Sequence, residues 1–403
     1  MKKWFFFSGG LLIVCGIFFM YSDTQLPSTT DQTGMYVNQN TTTSIGYEHG
    51  RPVFRIDIQQ IKQKSYKHIL IARQIQHGTI YNAEGATVIS NLRGDRGRIN
   101  THTKSIIVTG NIHATVHPVH SKKTIQMQSR QFFYRHRQRE AKFKEGVQLM
   151  VNKITLQSDE SRYVNQHEHI HFTQPTRISD DHSTTSIDRG LLAIRTSELW
   201  ASNNIKSTYK KNISPTYSNT INALLKNKTV VKSQQLTINF RHNDQVMATY
   251  NTDVRVSQPG KKLQATTLAL DFITNTYSAT GNVQFNFDSL DWVHLKKTAI
   301  KNKRIAAMLK KPTKIMTDYA TFNTTNNQLL LQRNVTIKQR DFKLTCDSFI
   351  FDFTANKMTA SGNVTVVKFG IPYLNTPYLS IDITNETFKT RSSTQLSELM
   401  IEI

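Results

Sequence analysis

Three histidines stand at alternate positions in the run His167-Glu168-His169-Ile170-His171-Phe172. On a strand that spacing puts three imidazoles on one face, a donor set suited to zinc or copper. Ile170 and Phe172 then occupy the other face and point inward, which turns the histidines to solvent. A jelly-roll metal enzyme with an H-x-H motif also needs a nearby carboxylate and a glycine frame, and here Gln174 and Pro175 follow. No metal site is expected. The acid pairs Asp159-Glu160 and Asp180-Asp181 lie in polar, turn-like stretches and read as solvated side chains rather than an acid/base couple. There is no G-x-x-x-x-G-K-[ST] phosphate loop, no G-x-S-x-G elbow and no H-E-x-x-H zinc helix. Cys15 lies in an apolar N-terminal stretch and Cys346 in a strand-like run, so no intrachain disulfide is expected. The chain reads as a non-enzyme with no catalytic residue and no cofactor.

The elements that carry these residues begin at the N-terminus. Lys2 and Lys3 precede an uncharged apolar stretch from Trp4 to Tyr21, just long enough to span a bilayer. Without a small-x-small cleavage site near Phe19–Asp23 it reads as an uncleaved anchor over residues 1–22, with the basic end in the cytoplasm and the rest exported. The 403 residues carry 51 Lys and Arg against 28 Asp and Glu, a formal net charge of +23. That charge calls for an acidic partner, and outside the cytoplasm anionic lipid fits better than nucleic acid.

Residues 23–44 are polar and read as a flexible linker. Beyond them, short runs of period two dominate. Leu236, Ile238 and Phe240 share one face of their run. Val283, Phe285 and Phe287 do the same in another, Val335 and Ile337 in a third, and Phe349, Phe351 and Phe353 in a fourth. Such alternation predicts antiparallel sheet with one sheltered face. Helix is expected only at 293–311, a basic segment ended by Pro312, and more weakly at 215–228. A unit also repeats: strand, polar Asn/Thr turn, strand, then Gly-Asn and a β-branched residue. It ends in Gly110-Asn111-Ile112, Gly281-Asn282-Val283 and Gly362-Asn363-Val364, with Arg333 in place of the glycine before Asn334-Val335. Gly-Asn is expected to free the backbone for the next chain reversal.

At these repeats the chain resembles the lipopolysaccharide-transport family of LptC, LptA and the OstA-like N-terminal region of LptD. Leu270-Asp271 to Gly281-Asn282-Val283 and Phe351-Asp352 to Gly362-Asn363-Val364 are its best matches to the phrase that recurs in that family. A short basic N-terminus, one anchor helix and an exported β region resemble LptC in particular. The chain is about twice the length expected of such a protein. It therefore reads as an LptC-like module over 45–185 followed by an OstA/LptA-like module over 190–395.

The resemblance implies an all-β fold: antiparallel β-jelly-roll or V-shaped, taco-like modules in tandem behind one transmembrane helix. It implies inner-membrane localisation with the bulk of the chain in the periplasm, and a groove sheltering the acyl chains of lipopolysaccharide. Phe272, Val283, Phe285, Phe287, Val335, Ile337, Phe349, Phe351 and Phe353 are the candidate groove residues. Implied partners are lipid A, the inner-membrane Lpt ABC transporter complex that would supply energy, and an LptA-like bridge protein joined edge to edge. Basic clusters at Lys122–Lys123, Arg135, Arg137, Arg139 and Lys296 to Lys314 could meet lipid phosphates. Two other readings stay open. An alternating Phe ladder also fits the closed core of a structural or adhesive envelope protein, and an envelope enzyme acting on glycans is disfavoured by the missing carboxylate pair.

Overall fold

The computed structural model describes residues 36–37, 42–63, 68–120, 124–151, 153–210, 227–241, 244–290, 307, 310–383, 385, 387–391 and 396–399. The expected anchor at 1–22 and most of the 23–44 linker fall outside them, as does nearly all of the two expected helices. Thr42–Ser44, read as linker, already belong to a strand. Among the described residues no helix is long and apolar enough to cross a membrane.

Twenty-eight antiparallel strands make up the described chain. The first eight are short: β1 (Tyr36–Val37), β2 (Thr42–Glu48), β3 (Arg51–Ile58), β4 (Ile61–Gln63), β5 (Ile69–Ala72), β6 (Ile75–Tyr81), β7 (Thr87–Arg93) and β8 (Arg96–Asn100). Four long ones follow, β9 (Ser105–Val116), β10 (Ile125–Arg135), β11 (Glu140–Val151) and β12 (Ile154–Val164). Then come the short β13 (His169–Phe172), β14 (Thr176–Ser179), β15 (Ser183–Ile187) and β16 (Arg189–Ala193). The long strands resume with β17 (Glu198–Tyr209), β18 (Thr229–Arg241), β19 (Asp244–Gln258), β20 (Lys261–Asp271) and β21 (Thr276–Phe287). They continue through β22 (Thr313–Asn323), β23 (Gln328–Gln339), β24 (Phe342–Asp352), β25 (Lys357–Lys368) and β26 (Ile371–Asp382), and β27 (Thr387–Arg391) and β28 (Leu396–Leu399) end the order.

From β17 to β28 each strand pairs with the next, a meander. Earlier the ladder branches. The first half of β9 pairs with β8 and its second half with β7. One half of β12 pairs with β13 and the other with β14, and these branches rejoin through β16 and β15 on the two halves of β17. Residues 185–190, between the two expected modules, run from β15 into β16 within this hydrogen-bonded ladder.

Each long strand is bent at its middle, and two alternating devices make the bend. In β9, β21 and β25 it is the Gly-Asn pair: Gly110-Asn111, Gly281-Asn282 and Gly362-Asn363 all have positive φ. The sequence reading placed Gly-Asn at chain reversals, and the structure corrects this. A consecutive left-handed pair creases the strand without ending it, and register with both neighbours shifts there. Glu145-Gly146, Asn203-Asn204, Thr252-Asp253 and Arg333-Asn334 form the same pair in β11, β17, β19 and β23. An aspartate sixteen residues upstream often clamps the Asn amide: Asp95 to Asn111 (3.1 Å), Asp188 to Asn204 (2.7 Å), Asp318 to Asn334 (2.7 Å) and Asp347 to Asn363 (3.0 Å). A Cβ on Gly362 would lie 2.3 Å from Asp347 Oδ2, so glycine accommodates the close approach there, whereas Arg333 and Asn203 fill the equivalent position beside Asp318 and Asp188.

The intervening strands bend at a small buried residue: Ser129, Ser158, Ser233, Ala265, Thr317, Cys346 and Thr376 in β10, β12, β18, β20, β22, β24 and β26. The hydroxyls of Ser129, Ser158, Ser233, Thr317 and Thr376 donate to the carbonyl two residues on (2.9–3.1 Å). Small side chains are needed where the two halves of a creased sheet converge, and Cys346 serves as one of this row. Reversals occur instead at turns begun by Asn or Asp. Asn100, Asp271, Asn323 and Asp352 each accept two backbone N–H groups at about 3 Å.

Candidate functional site

A cavity of about 670 Å³ lies between the two halves of the C-terminal strands, within the range usual for small-ligand pockets. Its lining takes Leu263 from before the bend of β20 with Leu268 and Leu270 from after it, and Tyr277 and Ala279 with Phe285 and Phe287 from either side of the bend in β21. Two halves of one strand facing each other across a space mean that the sheet is folded along its crease, with the apolar face inside.

The crease explains which aromatic rings meet. Phe272 and Tyr277 flank one turn, and Phe322 near the end of β22 and Phe353 just past β24 lie at the same end of the sheet. With Tyr209 and Phe351 they form a continuous row of ring centroids: Tyr209–Phe272 6.2 Å, Phe272–Tyr277 6.5 Å, Tyr277–Phe322 6.2 Å, Phe322–Phe353 6.0 Å and Phe353–Phe351 4.4 Å. Phe285 and Phe287 stack at 6.0 Å on the other wall. Behind the row Tyr209 and Tyr250 share a hydroxyl–hydroxyl hydrogen bond of 2.6 Å, and burial pushes the Tyr250 phenol up to about 12. The floor is thus apolar and uncharged.

Polar groups gather at one end of the cavity. Lys153, Lys210, Lys261 and Lys262 line it there, with Asp180, Asp181 and His182. Lys210 Nζ donates to the Asp181 carbonyl (3.0 Å), and Asp180 is occupied in capping its own turn. Gln258 gives its amide to Thr229 Oγ1 (2.6 Å), while its buried Oε1 has no hydrogen-bond partner. A buried acceptor without a donor is costly in an apolar wall.

Four of the nine groove residues named from the sequence, Phe272, Phe285, Phe287 and Phe353, line this cavity. Val283 and Val335 are sealed at 1% exposure, Phe349 and Phe351 are buried behind the lining, and Ile337 packs half-buried against the same core. All nine lie on the apolar side, while Ile350 on the opposite face of β24 is 37% exposed. The sequence reading missed Tyr209, Leu263, Leu268, Leu270, Tyr277 and Phe322. The alternation Leu268, Leu270, Phe272 carried that signal. Phe322 and Tyr277 have no such run around them and join the row only through the fold.

The basic clusters fall elsewhere. Arg135, Arg137 and Arg139 are exposed around the β10–β11 turn, at the opposite end of the sheet from the lysine mouth. Lys122–Lys123 and most of Lys296 to Lys314 lie outside the described residues.

The histidines sit as the alternation predicts. Ile170 and Phe172 are buried, and the rings of His167, His169 and His171 follow one another at 5.9 and 6.1 Å. Desolvation and the neighbouring cations hold His171 below the ordinary imidazole range. The letters His167-Glu168-His169-Ile170-His171 also satisfy H-E-x-x-H, a match the sequence reading passed over. That zinc motif needs a helix, whereas these residues run from a turn into β13, and Glu168 points inward to accept the His120 N–H (2.8 Å). Among the described residues no three His, Cys, Asp or Glu groups are placed to hold a metal.

No protein-family model matches the chain. No curated protein matches it. Among solved structures it is similar to LptH from Pseudomonas aeruginosa, described as the LptA homologous periplasmic component of the conserved lipopolysaccharide transport device. That similarity has 17% identity, spans 33% of this chain and 82% of that one, and has a TM-score of 0.24.

Proposed function

We propose that the chain is a non-enzymatic carrier in lipopolysaccharide export, sheltering acyl chains inside its creased C-terminal sheet and passing them on. The observation that carries this reading is the cavity, with its aromatic and aliphatic floor and lysines at one end. Acyl chains match the floor at roughly 25 cal/mol per Å² of apolar area buried. Lysines at the mouth match phosphate as charge-assisted partners, and the orphan Gln258 acceptor suits the hydroxyl or amide of a hydroxyacylated sugar. A sealed-core structural protein has no need of such a space. An LptC-like place at the inner membrane, held by the N-terminal stretch and working with the transporter complex, belongs to the same proposal. So do the division into two modules and hand-over to a bridge protein along an open edge such as β2, whose described pairing is on the β3 side alone.

The test is titration of the full chain with lipopolysaccharide, following displacement of a fluorescent fatty acid. Leu263→Trp puts bulk into the cavity from a half-buried position and should weaken lipid binding about tenfold, equivalent to roughly 1.4 kcal/mol, with little change in Tm. Unchanged binding by a folded Leu263→Trp protein would remove the cavity from the account.

A further inference from the structure

The turn between β25 and β26 is a second apolar feature, and it faces outward. Phe369 is 71% exposed, Ile371 68% and Tyr373 52%. Phe369 and Gly370 make the turn with φ of 52° and 79°. Two-residue hairpin turns of that kind favour Asn-Gly, and a phenylalanine at positive φ is an outlier. The fold therefore keeps a large ring in a strained backbone position, in water, with no packing gained in return.

The tip stands among cations. Lys368 Nζ lies 5.9 Å from the centre of the Tyr373 ring, and the Phe369 N–H donates to the Asp341 carbonyl (2.9 Å), tying the tip to the β23–β24 turn. Lys338, Arg340, Lys343 and Lys368 are all exposed around these two turns, where Asp341 is the carboxylate paired with Lys311 at 3.4 Å and with Arg340 at 4.0 Å. The turns at the opposite end of the same strands are built on Asp352 and Asp382. At this end of β23–β26 exposed apolar surface lies among cations, whereas at the other end the exposed Ile273 (62%) stands beside Asp271.

We propose that this end docks on an anionic lipid bilayer, with Phe369, Ile371 and Tyr373 entering the headgroup layer and the surrounding Lys and Arg meeting lipid phosphates. A narrow wedge of three side chains ringed by cations suits an interface that yields around it and attracts positive charge. A protein partner would need a broader complementary face. The inference rests on residues outside the cavity and goes beyond the carrier reading.

The test places an environment-sensitive fluorophore on the full chain, with Cys15→Ser and Cys346→Ser, at Phe369→Cys or, at the opposite end, at Thr325→Cys. Vesicles of phosphatidylethanolamine with phosphatidylglycerol are compared with vesicles of phosphatidylcholine. A blue shift and quenching by lipid-borne spin probes are expected at 369 in the anionic vesicles alone, reversed by salt and absent at 325. Phe369→Asn, which suits the turn backbone, should raise Tm while weakening the same quenching read from a label at Ile371→Cys. The proposal is overturned if the label at 369 stays in water, if it shifts equally in phosphatidylcholine, or if it shifts without lipid as protein concentration rises, which would mean a second copy covers the tip.

Discussion

The N-terminal and C-terminal parts of the sheet use the same bends and turns yet treat their aromatic rings differently. Phe54, Phe132, Phe143 and Phe172 are at most 1% exposed, and Phe132 packs edge-on against Phe143 at 5.0 Å. In the C-terminal part Phe272, Phe285, Phe287 and Phe322 are only partly buried and surround a space. The connectivity accounts for the contrast. In the N-terminal part the creased strands β9–β12 are flanked by short strands, β5–β8 on one side and β13–β16 on the other, that each belong to one wall, so the walls there can settle until side chains touch. Strands β18–β25 run through both walls, and the crease residues set how far apart the walls stay.

The largest effect that would break this comparison is a core truncation. Phe132→Ala should cost about 3–5 kcal/mol, whereas Phe322→Ala beside the cavity should cost less than about 2 kcal/mol, both read by denaturant unfolding. Equal costs would mean that the two regions are packed alike. Next come the creases. Gly362→Ala puts a Cβ against Asp347 at positive φ and should cost about 1–3 kcal/mol, while Arg333→Gly at the equivalent bend should be neutral or stabilising by up to about 1 kcal/mol.

A smaller effect is carried by pH in the closed region. Glu48 accepts hydrogen bonds from Lys104 (2.8 Å) and from His136, which hold its carboxyl at about 2. A carboxylate depressed in the folded state stabilises above its unfolded pKa, and that contribution is lost as pH falls from about 4.5 towards 2. Glu48→Gln should flatten the Tm profile across that window, as differential scanning fluorimetry would show. The smallest change is expected at Cys346, because Ser or Thr fills the same place in neighbouring bends. Cys346→Ser should shift stability by less than about 1.5 kcal/mol. Burial pushes the thiol up to about 12, so alkylation of the native protein should be slow.

The local code was legible and its range was not. Period two identified the half-strand Phe349–Phe353 and its inward face correctly. It broke at Cys346-Asp347-Ser348, where an extra residue shifts the inward parity from Leu344 and Cys346 to Phe349, so the alternation of Phe349–Phe353 covers only half of an 11-residue strand. Gly-Asn was found but given the wrong task, because a left-handed pair looks the same in sequence whether it reverses a chain or creases it. Glu145-Gly146 and Thr252-Asp253 perform the same bend without that signature. The cavity was legible at Phe272, Phe285, Phe287 and Phe353, but Tyr209 and Phe322 reach it from strands that only the meander brings together.

The most direct test of an open C-terminal groove is photocrosslinking of the full chain to lipopolysaccharide, with the probe at Phe285, at Phe322 and, on the outer face of β21, at Asn286. Crosslinks at 285 and 322, competed by lipid A and absent at 286, are the expected result. A folded protein that crosslinks at none of the three, or equally at 286, would contradict the groove and favour a sealed structural core.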